Sequence, residues 1–332
     1  EFAEGGGSIN ADSLDNSAGV DMSDHEVNLK ILCSALERSG ELSRDERNTM
    51  LVSIAEQVSA RVQNNNESHS RMVSLDLVRS AEHVDDFRIL LNDLEDSGRL
   101  DRARHVLPED GELLRRARHN EGLVRPELAK LGPFVKMGVY EALLDDERFD
   151  TPYINRWLLD YFPTEVQERF ESGILAHQLR LEIAATRITN TLVDSMGVTH
   201  FSRLQRITGR DPVEIAYASL LASDLLNAWK LKEMLHGSDH VRISVTYVKL
   251  SHIEESITML AEWLLIAGID VLQPQQVLDR FEDGFRAYEK ALLRIIERGE
   301  KKEYQRRLRY MRNRNIKQPG SERIAGLEWL AD

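Results

Sequence analysis

The stretch TEVQERFESGILAHQLRLEIAATRITNTL, residues 164–192, decides the fold. Val166, Phe170, Ile174, His177, Leu181, Ala184, Ile188 and Leu192 follow one another in steps of three or four, which returns them to one side of a 3.6-residue helix. Thr164 after Pro163 opens the segment and Gly197 stops it, so the spacing predicts one continuous helix between them. His177 lies on the apolar stripe, where a hydrogen-bonded core histidine is the ordinary reading.

The same pattern extends in both directions. Downstream, Asp211-Pro212 supplies an N-cap and a first-turn proline ahead of Ile215, Ala218, Ala222, Leu225 and Trp229. Ile257–Leu272 is the most apolar stretch, yet Glu262 and Asp270 interrupt it and it falls short of the roughly 20 residues of a membrane span; it reads as core helix. Gln275–Arg314 reads as a last, charged helical stretch. Upstream, Arg125-Pro126 opens a helix with Leu128, Leu131, Val135, Val139 and Leu143 on one face. Ser43-x-x-Glu46 is a capping box before Met50, Ile54, Val58 and Val62, and the polar run Gln63–Ser70 is expected to break that helix. Ser23-x-x-Glu26 forms another capping box, with Val27, Ile31 and Ala35 following until Gly40. Residues 8–22 lack helical periodicity and read as strand and loop. The fold expected is therefore mainly α: a short strand-containing segment over residues 1–70, then a large all-helical domain over 71–332.

Composition narrows the function. Across 332 residues, 43 Lys+Arg against 56 Asp+Glu give a net charge of −13, which disfavours nucleic acid and anionic lipid as partners of the average surface. No membrane segment is expected. A single cysteine, Cys33, cannot form an internal disulfide, which suits a cytoplasmic place, and a buried apolar role is its simplest reading. The chain opens at Glu1-Phe2 without a methionine, which suggests a piece of a longer protein or a cloning remnant. Locally the charge reverses: Arg286–Lys317 holds twelve Lys/Arg against four Glu and is expected to dock on acidic protein surface.

Motif chemistry is sparse. Gly5-Gly6-Gly7 precedes a strand-like segment instead of joining strand to helix, so it is a loop and not a dinucleotide fingerprint. Asp24-His25-Glu26 cannot converge on one metal from a helix, where adjacent side chains diverge by about 100°. No metal site is expected.

DNSAGVDMSDHEVN (15–28), RPELAKL (125–131), LLDYFP (158–163), ERF (168–170), HQLRLEIAAT (177–186) and the spacing from Asn190 to Gly197 stand in an order that resembles the large bacterial NAD-specific glutamate dehydrogenases, over roughly residues 8 to 265. Residues 1–70 would then be the end of an α/β dinucleotide-binding catalytic domain, a strand-containing remnant, and 71–332 the C-terminal helical domain. The resemblance implies oxidation of L-glutamate to 2-oxoglutarate and ammonium with NAD as cofactor. It also implies association with the rest of the polypeptide and a homo-oligomer. In that family an Asn-Ala-Gly-Gly-Val-like turn lies beside the nicotinamide, and a serine three residues on helps to hold the substrate's side-chain carboxylate. The matching positions here are Asn16, Ala18 and Gly19 for the cofactor and Val20 and Ser23 for the substrate, with Ser-Ala-Gly standing for Ala-Gly-Gly. Asp194 stands where relatives tend to carry Asn, on a helix outside the expected site. The resemblance places the catalytic lysines, the aspartate and the nucleotide loop outside this chain, so no catalytic residue is expected in it. The competing expectation is a helical interaction or regulatory module without catalysis.

Overall fold

The computed structural model describes residues 2, 3, 5–236, 242–314, 316 and 320–331. The chain forms two compact units, Glu1–Thr199 and His200–Asp332. In the first unit α1 (Asp12–Asp15), α2 (Ser17–Ser39), α3 (Arg44–Glu82), α4 (Val84–Asp96), α5 (Arg102–His105) and α6 (Asp110–Ala117) precede α7 (Arg125–Leu144), α8 (Asn155–Tyr161), α9 (Thr164–Leu175) and α10 (Arg180–Met196). In the second, α11 (His200–Thr208), α12 (Pro212–Leu225) and α13 (Ala228–His236) precede α14 (Ile243–Ile266), α15 (Pro274–Ile295), α16 (Arg298–Arg312) and α17 (Gly320–Ala331).

The first unit is organised by the α2–α3 hairpin. Gly40 takes a left-handed conformation (φ 79°), and the N–H groups of Glu41 and Leu42 both reach back to the Leu36 carbonyl at 3.0 and 3.3 Å. These bonds satisfy carbonyls that a helix end leaves bare. Ser43 and Glu46 then cap α3 reciprocally, with Glu46 N–H donating to Ser43 Oγ at 3.3 Å and Ser43 N–H to Glu46 Oε2 at 2.9 Å. Met50, Ile54, Val58 and Val62 are buried as their spacing predicts, and so are Cys33 on α2 and Leu128, Leu131, Val135, Val139 and Leu143 on α7. α10 packs on α3, α7 and α8, with Ala184 and Ala185 fully buried. In the second unit α12 is buried on nearly every side and packs on α11, α13, α14 and α15. The buried hydroxyls of Ser219 and Ser223 donate to the carbonyls four residues back, each at 2.8 Å, so neither is left unsatisfied.

Several expectations are corrected. No strand occurs among the described residues; the segment 8–22 holds α1 and the start of α2. A strand needs a neighbour to take its N–H and C=O groups, and none is present among the described residues, whereas Leu14 and Asp15 N–H close turns on the Ala11 carbonyl. The run Gln63–Ser70 does not break α3. Its polar side chains find tertiary partners instead: Asn65 Nδ2 donates to Asp21 at 2.9 Å, and Asn66 Nδ2 to Ser17 Oγ at 2.7 Å and the Leu14 carbonyl at 3.1 Å. Conversely, the segment 164–196 is two helices. α9 is kinked at Phe170 (φ −134°, ψ 34°) and ends at Leu175, and in the break before α10 His177 Nδ1 accepts from Leu179 N–H at 3.1 Å. Because Nδ1 accepts, the ring proton sits on Nε2, which donates to the Asn28 carbonyl at 3.2 Å. Trp229 lies in α13, after a turn at Asn227 (φ 50°), and Gln275–Arg314 divides at Glu297, which caps α16.

α3 runs through residue 70 unbroken, so compactness divides the chain at 199/200 while sequence texture changes near 70. Among the described residues no helix is long and apolar enough to cross a membrane. Part of the basic run is answered within the chain: Glu282 pairs with Arg286, Glu303 with Arg306 and Arg307, and Glu322 with Arg312 at 3.0 Å. Lys317 lies outside the described residues.

Candidate functional site

The five positions expected to meet cofactor and substrate fall on the first two turns of α2. Asn16 is its N-cap residue, and Ser17 begins it. Asn16, Gly19, Val20 and Ser23 are exposed, Val20 to 76%. Their offsets of three, four and seven residues bring them onto one outward stripe. Ala18 is half-buried on the opposite side and does not join them. Ser23 is not the cap that its Ser-x-x-Glu pattern suggested. The helix starts six residues earlier, because the Ser17 hydroxyl donates to the Leu14 carbonyl at 3.0 Å and accepts from Asn66, tying the helix start to α3.

The inward face of α2 carries a polar cluster that the sequence reading missed. His25 stacks on the Tyr161 ring, with centroids 4.2 Å apart at an interplanar angle of 18°. The Tyr161 hydroxyl donates to Asp24 Oδ2 at 2.8 Å and accepts from Asn28 Nδ2 at 2.9 Å. Burial holds His25 and His177 in their neutral forms by lowering both pKa values, and it pushes the Tyr161 phenol upward. Beside the cluster Arg187 grips Asp160 at 2.7 Å, and Arg61 donates to the Asp160 carbonyl. These groups fix the rotation of α2 and thereby the direction in which Asn16, Val20 and Ser23 face. A tyrosine inside LLDYFP and an asparagine three residues after His25 were the available signals, but only the fold shows that residues 28 and 161 meet.

A second buried cluster lies between α3, α7 and the end of α10. Asp76, fully buried, accepts from Arg79 Nη1 and from Val198 N–H, both at 2.9 Å. Burial raises its pKa although Arg79 opposes the rise. Asp194 pairs with Lys136 at 2.7 Å, so this position has a structural ion-pair role. His69 is held neutral, its pKa lowered to about 4 by burial and then by the Lys136 ammonium. The clusters position helices; among the described residues no three or more of His, Cys, Asp and Glu converge as a metal site. His25 within Asp24-His25-Glu26 is turned onto Tyr161 instead.

Residues 1–76 match the family model described as bacterial NAD-glutamate dehydrogenase, catalytic domain. The chain is 37% identical over 227 residues to the NAD-specific glutamate dehydrogenase of Pseudomonas aeruginosa, covering 68% of this chain and 14% of that protein. It is 34% identical over 266 residues to the protein of that name from Halomonas elongata (80% and 16%), and 38% identical over 226 residues to that from Mycobacterium tuberculosis (68% and 14%). The chain thus spans about one-seventh of the length of these relatives. Residues 120–332, well over half of the chain, match the model described as glutamate dehydrogenase, C-terminal, and the chain belongs to that family.

Proposed function

We propose that this chain is the C-terminal portion of an NAD-dependent glutamate dehydrogenase, in which the α2 stripe forms one wall of the cleft for NAD and L-glutamate. The observation that carries the reading is the outward stripe of Asn16, Gly19, Val20 and Ser23 within the segment that matches the catalytic-domain family. Asn16 and Gly19 of this stripe would border the nicotinamide, with Ala18 behind them supporting the turn, and Val20 and Ser23 would border the glutamate side chain. Gly19 has nothing within 4 Å of where a Cβ would stand, so a planar ring can approach the backbone there. The Ser23 hydroxyl would donate to the substrate carboxylate. Hydride acceptance belongs to NAD, and the protein's part is to orient it.

On this reading residues 1–70 close the catalytic domain and 71–332 form the helical domain. Residues 7–11, which are not helical, are the stretch that would join a sheet of the longer polypeptide. A cytoplasmic place fits the single buried thiol of Cys33. Exposed apolar residues along α14, namely Trp263 and Ile266 with Val248 and Met259, support packing against the rest of the polypeptide or a second copy in a homo-oligomer. The same face favours a second reading, a helical interaction module without catalysis.

Substituting Ser23→Ala in the full-length enzyme separates the two. Loss of a charge-assisted hydrogen bond raises the KM for glutamate about ten-fold or more and leaves that for NAD nearly unchanged. Stability should move by less than about 0.5 kcal/mol, because Ser23 is exposed in a helix interior. A glutamate KM within about two-fold of wild type removes Ser23 from the site, since even one neutral hydrogen bond is worth about that much.

A further inference from the structure

Within the second unit, residues of α14, α16 and α17 surround a cavity of about 680 Å³, within the range of small-molecule sites. Its floor is apolar, formed by the buried side chains of Ile324 and Leu327. One wall is cationic. Lys249 is only 4% exposed, and its ammonium lies 3.3 Å from His252 Nδ1 and 5.1 Å from the centre of the Tyr310 ring. Burial, and then the positive charges of Arg307 and Arg314, lower its pKa to about 8. Arg314 stacks on the same Tyr310 ring, its guanidinium carbon 3.5 Å from the centroid. Arg307 is fixed by Glu303 at 2.9 Å and the Trp329 ring at 5.0 Å. Two acids also line the cavity, Glu255 on α14 and Glu303 on α16, the latter shared between Arg306 and Arg307.

A buried ammonium beside guanidiniums is costly, because Lys249 has lost its water and is repelled by Arg307 and Arg314. An anion entering the cavity would offset both losses, while an apolar body would cover the floor. We propose that this cavity binds a small organic anion, with its carboxylate or phosphoryl group on Lys249 and Arg307 and its apolar body against Ile324 and Leu327. Lysine meets either headgroup as a point charge, and arginine can bind either through its fork. The ligand class is therefore set by one anionic group joined to an apolar body of a few carbons.

Titration calorimetry of the chain with hexanoate, phenyl phosphate and inorganic phosphate tests this. At least one organic anion is expected to bind with a Kd below about 1 mM, and which one binds identifies the headgroup. Inorganic phosphate, lacking the apolar body, should bind about ten-fold more weakly or worse, since each buried CH₂ contributes a further factor of about four. Lys249→Met, which removes the charge and keeps the length, should weaken the organic anion about ten-fold or more, and Arg307→Gln should do the same. The Arg307 variant keeps the test decisive if the Lys249 variant loses helicity by circular dichroism. Absence of binding by both organic anions at concentrations of about 10 mM overturns the proposal. So does an unchanged Kd in Arg307→Gln, or inorganic phosphate binding as tightly as the organic anions.

Discussion

Gly197→Ala probes the buried cluster at the end of α10. Gly197 has φ 86° and ψ 166°, a region open essentially to glycine alone, so a Cβ there costs about 1–3 kcal/mol in backbone strain. That Cβ would also stand 2.4 Å from Asp76 Oδ1 and 2.6 Å from Arg79 Nη1. Neither can withdraw freely, because Asp76 is fully buried and its other oxygen holds Val198 N–H at 2.9 Å. Displacing the carboxylate strands that buried donor, a further loss of about 1–3 kcal/mol. The total is about 2–6 kcal/mol, a large share of the 5–15 kcal/mol that usually holds a domain together. With a urea dependence of about 2–3 kcal/mol per molar, the midpoint of the first unit's transition should fall by about 0.7–3 M. Gly40→Ala is the matched control: it too has positive φ (79°), but nothing lies within 4 Å of its would-be Cβ, so it should lose only about 1 kcal/mol. Equal midpoint shifts for the two variants would refute the role assigned to the Asp76 cluster.

Tyr161→Phe removes the hydroxyl between Asp24 and Asn28 and should destabilise the first unit by about 1–2 kcal/mol, measured by chemical denaturation; a neutral substitution would show that the cluster does not hold α2. For His69, the folded pKa of about 4 lies below the ordinary 6.5, so protonation favours the unfolded chain. Its contribution is present above pH 6.5 and is lost as pH falls towards about 4, up to about 3 kcal/mol. His69→Gln should flatten that part of the stability–pH curve, and parallel curves for variant and wild type would contradict the assignment. Chain 1–332 contains no glycine-rich phosphate loop and should neither oxidise glutamate nor bind NAD tightly; micromolar NAD binding by calorimetry would oppose this expectation.

Helix content was legible because apolar spacing and caps report local geometry. Ser43 with Glu46, Gly40, Arg125-Pro126 and Asp211-Pro212 each mark a helix end where the structure has one. What failed depended on distant partners. Gln63–Ser70 looked like a break because Asn65 and Asn66 are poor helix formers, yet Leu14 on α1 and Ser17 and Asp21 on α2 supply their hydrogen bonds. The split at His177 was hidden for the same reason, since its ring is held by the backbone of Asn28, 149 residues away. At the candidate site, the family resemblance nominates Asn16, Val20 and Ser23 from sequence, whereas the pairing of Tyr161 with Asp24 and Asn28 had no such signal. Ser23 also shows that a capping-box pattern inside a favourable helix does not set its start.

α3 has 39 residues without a break, which at 1.5 Å per residue makes a strut of about 58 Å. Asn66 tethers the start of α2 to this strut, and ten residues along it Asp76 tethers the end of α10. About 15 Å of continuous backbone separates the two tethers, too short for an α-helix to bend appreciably. The outward stripe on α2 and the Gly197 corner are therefore mounted on one stiff beam, and their amides should open to hydrogen exchange together, not as separate events.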